Sequence, residues 1–299
     1  MGVNNWGRWG ADDERGALNH LTPEIILSAA SSITSGKVYS FGIPIQGHGV
    51  PLLGHRGTPM RLTLQDGTDD GMFANFGAAE GTGAHEDVLV MASHTTSHMD
   101  ALIHVYEEHK HYNGVPFSEM RAMSGASKLG IEKVDGFAAR CVILDMVTHL
   151  GEEKWLEPGR MLTAAELEGA ANAQGTEIRT GDVVCIRTGH LDMWWAANAA
   201  GEPEGFLQAG IGSDAAEWLA AKDVVAVGAD NAAVEVIPFD NNEFLIVHKI
   251  LLVRGGIYMM EHLNLGPAAR DGNLEGIISV SPLKVTGATG SPINPIFIS

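Results

Sequence analysis

Cysteine is almost missing from this chain. Cys141 and Cys185 are the two in 299 residues, and each sits in an apolar, strand-like run. Two buried thiols exclude a disulfide framework and point to a reducing compartment. Positive charge is scarce too: 19 Lys and Arg against 37 Asp and Glu give a formal net charge of −18. That balance argues against nucleic acid or an anionic membrane surface as a partner. No apolar run approaches the roughly eighteen residues of a membrane helix. The opening MGVNNW lacks the apolar core of a signal peptide, and Trp6 stands where a myristoylation signal wants Ser or Thr. A cytoplasmic protein is therefore expected. Repeats, low-complexity tracts and clear linkers are lacking as well, so one domain over residues 1–299 is expected, with residues 1–20 as an N-terminal arm. A G-x-S-x-G nucleophile elbow is also missing, and neither cysteine sits in an electropositive loop, which turns the reading away from covalent catalysis.

Apolar residues make up 45% of the chain and 37 residues are glycine, enough for a sizeable core joined by many tight turns. Thr22-Pro23-Glu24 predicts a helix start, with Gly36 beyond its end. Residues 37–46 and Val88–Met91 read as strands, the second of them buried. The stretch 47–85 reads as loop with a short strand at Met60–Leu64, and loops of that length tend to be functional. His55 and His85 within it are candidates to face a ligand. Further on the pattern is α/β. Strands are predicted at Arg140–Val147, Gly181–Thr188 and Asp223–Gly228. A capping-box helix is predicted from Thr163 to about Ala173, and a helix capped by Ser213 to about Ala221.

The chemistry concentrates in His94-Thr95-Thr96-Ser97-His98-Met99-Asp100-Ala101-Leu102-Ile103-His104, three imidazoles and a carboxylate in eleven residues. Imidazole nitrogen with carboxylate oxygen suits a borderline divalent ion such as zinc, manganese or iron. In an extended chain His98 and Asp100 share a face, and a bend before them brings in His94. Three protein ligands leave coordination positions open for water and substrate, the catalytic arrangement. A second stretch, His248–Leu265, carries His248 on an apolar helix-like run, a turn at Gly255-Gly256, and a strand ending at Glu261. A carboxylate at the end of an apolar strand needs a partner, because an unpaired buried charge is expensive.

The first stretch resembles the signature of the cyclase-like metal hydrolases, the family of bacterial kynurenine formamidase and isatin hydrolase. Their pattern is a histidine, then Gly-Thr-His-x-Asp-x-Pro-x-His, and His94, His98, Asp100 and His104 occupy its four polar positions. Ser97 replaces the usual threonine and Leu102 the frequent proline. Members also carry a histidine followed about a dozen residues later by a glutamate, matched here by His248 and Glu261, thirteen positions apart. The segments Trp6-Gly7-Arg8-Trp9-Gly10, Tyr112-Asn113-Gly114, Gly228-Ala229-Asp230 and Gly287–Pro292 extend the resemblance over nearly the whole chain.

The resemblance implies a compact swivelling β/β/α domain with a mixed sheet partly closed around the site. It also implies a homodimer or homotetramer, and hydrolysis of a small amide or formamide, or opening of a cyclic amide or lactone. His94, His98 and Asp100 are then the expected ligands of a zinc or manganese ion that acidifies water and polarises a carbonyl. His104, His248 and Glu261 are the expected catalytic groups or a second metal site. Trp6, Trp9 and Phe76 are candidate pocket walls. Two rivals remain. A non-haem iron oxygenase would share the two-His-one-carboxylate triad but leaves His104, His248 and Glu261 without work. A non-catalytic metal or ligand carrier would hold metal yet turn nothing over.

Overall fold

Cys141-Val142-Ile143-Leu144 is apolar without alternation. The computed structural model, which describes residues 2–202 and 205–299, shows why. All four side chains are fully buried in the longest strand of a nine-stranded sheet. A strand covered on both faces has no polar side to alternate with. The sheet's strands in chain order are β1 (Val38–Ser40), β2 (His98–Asp100), β3 (Phe137–Asp145), β4 (Val183–Arg187), β5 (Ala226–Ala229), β6 (Tyr258–Glu261), β7 (Glu275–Val280), β8 (Gly290–Pro292) and β9 (Ile296–Ile298). In space they run β1-β9-β7-β3-β4-β5-β6-β2-β8. The central four, β3 to β6, are parallel, and the flanking strands are antiparallel. This is a single α/β domain built on a mixed sheet.

Parallel neighbours need crossovers, and helices supply them. Ala164–Ala173 connects β3 to β4 and starts with the expected capping box, Thr163 and Glu166 bonding each other's backbone. His190–Ala200 and Ser213–Ala221 lie between β4 and β5. Ser213 is the first helical residue there and not the cap, because its hydroxyl is taken by Asp240 at 2.6 Å. Ile246–His248 begins an α-helix that continues as a π-helix over Lys249–Gly255 before β6. Such widened turns are frequent at functional sites.

Several expectations shift. The strand expected over 37–46 is confined to Val38–Ser40, because the Gly42 and Ile43 N–H groups donate to the side chains of Asn294 and Ser97 in place of a ladder. The strand near Val88–Met91 exists as Glu86–Val90, but it is not buried. It pairs with Met60–Gln65 in a separate two-stranded ribbon that leaves Leu89 and Val90 each 48% exposed. Cys141 and Cys185 are free, buried thiols with sulfurs 3.7 Å apart on adjacent strands. Residues 2–20 lie along the body: Asn5 and Trp6 both bond the end of the π-helix, through Arg254, Gly255 and Val253. Among the described residues no helix is long and apolar enough to cross a membrane.

Candidate metal centre

Strand register builds the centre. β2 runs antiparallel to β6 with Met99 opposite Met260 and His98 opposite Glu261. Period-two alternation then sends Met99 into the core and puts His98 and Asp100 together on the other face. β8 closes the far side of β2, with Gly290 opposite Asp100. A Cβ at Gly290 would stand 2.7 Å from His94 Cε1, so only glycine lets the histidine approach the strand. His104 follows a turn closed by its N–H to the Ala101 carbonyl, and its ring stacks on His94 with centroids 4.0 Å apart. His248 arrives from the junction of α- and π-helix.

The side chains converge. His94 Nδ1 lies 2.8 Å from Asp100 Oδ1 and its Nε2 2.9 Å from Thr289 Oγ1. His98 gives its Nδ1 proton to the Thr96 carbonyl at 2.8 Å, which leaves Nε2 3.1 Å from Glu261 Oε2 and 3.7 Å from Asp100 Oδ1. His248 Nε2 is 3.7 Å from Asp100 Oδ2 and 3.5 Å from Glu261 Oε1. Its Nδ1 is held at 2.5 Å by Glu235, a fully buried carboxylate that also accepts from the Val247 N–H. Ligand atoms of His94, His98 and Asp100 fit within 4.8 Å of one another, and so do those of Asp100, His104 and His248.

Charge in this pocket is strongly perturbed. Burial opposes ionisation of Asp100, yet His104, His94 and His98 hold its carboxyl far below the usual range. Burial also pushes Glu261 up, but His98 and His248 outweigh it and bring the carboxyl down to about 2. His104 is pushed down to about 3 by burial, with His94 and His248 adding to it. Burial disfavours the charge on His248 as well, but Glu235, Glu261 and Asp100 lift it to about 10. Two buried anions are thus leaning on histidine protons, the place a divalent cation would take.

A metal passes the fit test. His98 Nε2, Asp100 Oδ2 and Glu261 Oε2 are all buried with no hydrogen-bond partner among the described residues. Buried polar atoms are normally satisfied, and three orphans at one point call for a shared partner. Glu235 on His248 and the Thr96 carbonyl on His98 fix the ring tautomers from behind, as outer partners of metal-ligating histidines do.

The centre opens on a cavity of about 300 Å³. Glu261, His104 and His248 line it at the metal end; Leu52, Trp194, Phe239 and Leu245 supply apolar wall. His55 also lines it, whereas His85 does not. The candidate wall residues Trp6, Trp9 and Phe76 lie elsewhere. Trp6 donates its indole N–H to the Val253 carbonyl at 2.7 Å, Trp9 packs edge-on against His20, and Phe76 is 83% exposed. Trp6 fastens the N-terminal segment through its indole N–H, and Trp9 packs against His20 and the core. Sequence reasoning missed Glu235, Thr289, His190 and His262, which come from four separate segments. The one signal available was Glu235 itself, an acidic residue in the apolar run Ala232–Ile237.

Fold and site together define an α/β protein with a His/Asp/Glu centre able to hold a divalent ion. Residues 25–236 match the family described as "Putative cyclase", and the chain belongs to that family. Among solved structures, a "novel cyclase" superimposes with TM-score 0.86 at 36% identity, covering 99% of this chain and 98% of its own. A "predicted metal-dependent hydrolase" from Bacillus stearothermophilus matches at 21% identity and TM-score 0.54, over 87% of this chain and 97% of its own. An isatin hydrolase bound to the product analogue thioisatinate matches at 20% identity and TM-score 0.62, over 92% and 98%. No curated protein matches the chain.

Proposed function

We propose that this protein is a metal-dependent hydrolase that uses activated water to cleave a small amide or formamide, or to open a cyclic amide or lactone. The observation that carries the reading is the convergence of three buried atoms without a hydrogen bond among the described residues, on His98, Asp100 and Glu261, at the end of a cavity sized for a small molecule. His94, His98 and Asp100 would hold the ion, zinc or manganese, with Glu261, His104 and His248 completing the centre or holding a second ion. A divalent ion held there supplies Lewis acidity to a carbonyl and acidifies water.

The chain's own groups do the rest. Asp100 and Glu261 stay anionic and so attract the cation. Glu235 holds His248 with Nε2 turned towards Asp100 and Glu261. His104, which lines the cavity beside the centre, and His248 are the candidates to take or return a proton during attack and departure of the leaving group. The aromatic and aliphatic walls exclude water from the substrate body and favour an aromatic or alicyclic one. The likeness to an isatin hydrolase agrees with this substrate type. A homodimer or homotetramer in the cytoplasm completes the proposal, checked by light scattering on the purified protein. The deciding experiment is metal analysis followed by hydrolysis assays on an aryl formamide, isatin and a lactone panel, with Asp100→Ala as control. Metal-dependent turnover that disappears in the variant is expected. Full activity without the carboxylate would remove the basis of the mechanism.

A further inference from the structure

His262 follows Glu261 directly, yet its backbone turns the ring another way. Its φ is +54°, a left-handed conformation that residues with a side chain rarely adopt. Two contacts impose it: the His262 N–H donates to the Asn231 carbonyl at 2.8 Å, and the His262 carbonyl accepts from Ser97 Oγ at 2.7 Å. The ring that results is 3% exposed, lines the cavity, and has no hydrogen-bond partner on Nδ1 among the described residues. Strain maintained from both sides, ending in an unsatisfied polar group, is the pattern of a group kept for a ligand.

His262 has company. Trp194 is 6% exposed, lines the same cavity, and its indole N–H is likewise buried without an acceptor. His190 stands one turn earlier on the same helix, four residues away and hence on the same face. It also lines the cavity, and burial alone pushes it down to about 4. Arg56 reaches the cavity as well and donates to the His94 carbonyl. An indole N–H can only donate, so the missing partner must accept. An apolar ring in this spot would leave the buried indole N–H unpaired, which is costly, and an ordered water there would hold the place of a ligand oxygen.

We propose that His262, Trp194 and His190 form a second recognition point that binds an oxygen acceptor on the substrate, a ketone or a carboxylate, distinct from the carbonyl that is attacked. The inference rests on the reading of this cavity as the substrate pocket. It narrows the substrate to an aromatic or alicyclic molecule carrying two acceptor groups, one for the metal centre and one for this donor set.

The test uses three probes of one size: benzoate, acetophenone and toluene. Their binding to the metal-loaded full-length protein is measured by ligand-observed NMR titration, in wild type and in His262→Phe and Trp194→Phe. The metal centre is common to all three proteins, so differences between them report the donor set. Metal content of each variant is measured in parallel, and Trp194→Phe, remote in sequence from Glu261, stands if His262→Phe fails to fold or load. Wild type should bind an acceptor probe more tightly than toluene, and each variant should weaken that probe about tenfold while leaving toluene unchanged. Loss of benzoate binding alone assigns a carboxylate, and loss of both assigns a carbonyl. Equal binding of all three probes to wild type, or unchanged binding in both variants, overturns the proposal. Absence of hydrolysis would sink the enzymatic reading but leave these binding differences standing, so the two failures are separable.

Discussion

His98 and Glu261 are direct cross-strand partners, and the ladder between β2 and β6 places Nε2 of one 3.1 Å from Oε2 of the other. A shift of one residue in that ladder would send His98 to the core face and Met99 into the centre. The placement of His98, Asp100 and Glu261 in the candidate metal site is therefore written into sheet register.

Ion binding should stabilise the fold. Asp100 and Glu261 are buried anions, each with one oxygen that has no hydrogen-bond partner among the described residues, and a cation bound only by the native state adds its binding energy to folding. With zinc or manganese at about a hundredfold excess over Kd the gain is about 2.7 kcal/mol, or a rise in Tm of roughly 5 °C over chelator-treated protein. Calorimetry of loaded and stripped protein measures it. Asp100→Ala should show no such difference between the two conditions, and an equal rise in that variant would place the ion elsewhere.

Glu235 acts through His248. Its Oε1 lies 2.5 Å from Nδ1 and keeps the opposite nitrogen aimed at Asp100 and Glu261. Glu235→Gln keeps the shape but removes the charge that fixes ring and tautomer. Metal affinity should fall about 10- to 100-fold, as for other partners of ligating histidines. Competition with a chromophoric chelator reads this directly, and the folded protein should keep its far-ultraviolet spectrum.

The parts legible in the sequence were those packed into one short segment. His94, His98 and Asp100 meet because a three-residue strand alternates and a bend precedes it, geometry that spacing alone conveys. The capping box at Thr163 and the continuous apolar runs of β3 and β4 were legible for the same reason. Glu235, Thr289 and His262 were not, since each reaches the centre through tertiary pairing: Glu235 beneath a helix, Thr289 beside β8, His262 by a left-handed turn held by Ser97 and Asn231. Leu89 and Val90 misled in the opposite direction. Apolar side chains read as buried, but their ribbon partners only itself. Trp6 and Trp9 read as candidate pocket walls, yet tertiary packing sets Trp6 against the π-helix end and Trp9 against His20.

Gly290→Ala tests how closely the centre is packed. The added methyl group would meet His94 Cε1 at 2.7 Å and the Met99 carbonyl oxygen at 2.8 Å. The ladder with Asp100 ties the two strands together, so the His94 ring and the backbone at Met99 must both shift. The ring's contacts with Asp100 and Thr289 would be lost. A displacement near 1 Å at a catalytic group costs on the order of a hundredfold in rate. Turnover should fall by that order on the substrate found active, with a smaller loss of Tm. Unaltered turnover would show that His94 is not needed in its observed position.

Asp230 ties the end of β5 to the turn that launches the helix carrying His190 and Trp194. Its carboxylate accepts from Thr188 Oγ1 at 2.6 Å, from the Thr188 N–H at 2.9 Å and from the Gly189 N–H at 2.7 Å. Burial nevertheless pushes the carboxyl up to about 6, against the pull of those donors and of Arg187. A folded-state value above the ordinary one near 3.9 means that the native state holds the proton more tightly than the unfolded chain. The stability this contributes is complete below about pH 4 and is lost as pH rises through about 6, a change on the order of 3 kcal/mol. Asp230→Asn cannot titrate. The stability of wild type relative to this variant should therefore drop by that order between pH 4 and pH 7, measured by urea unfolding across the series. A difference that stays constant with pH would show that the carboxylate is ionised throughout, with its three donors outweighing the cost of burial.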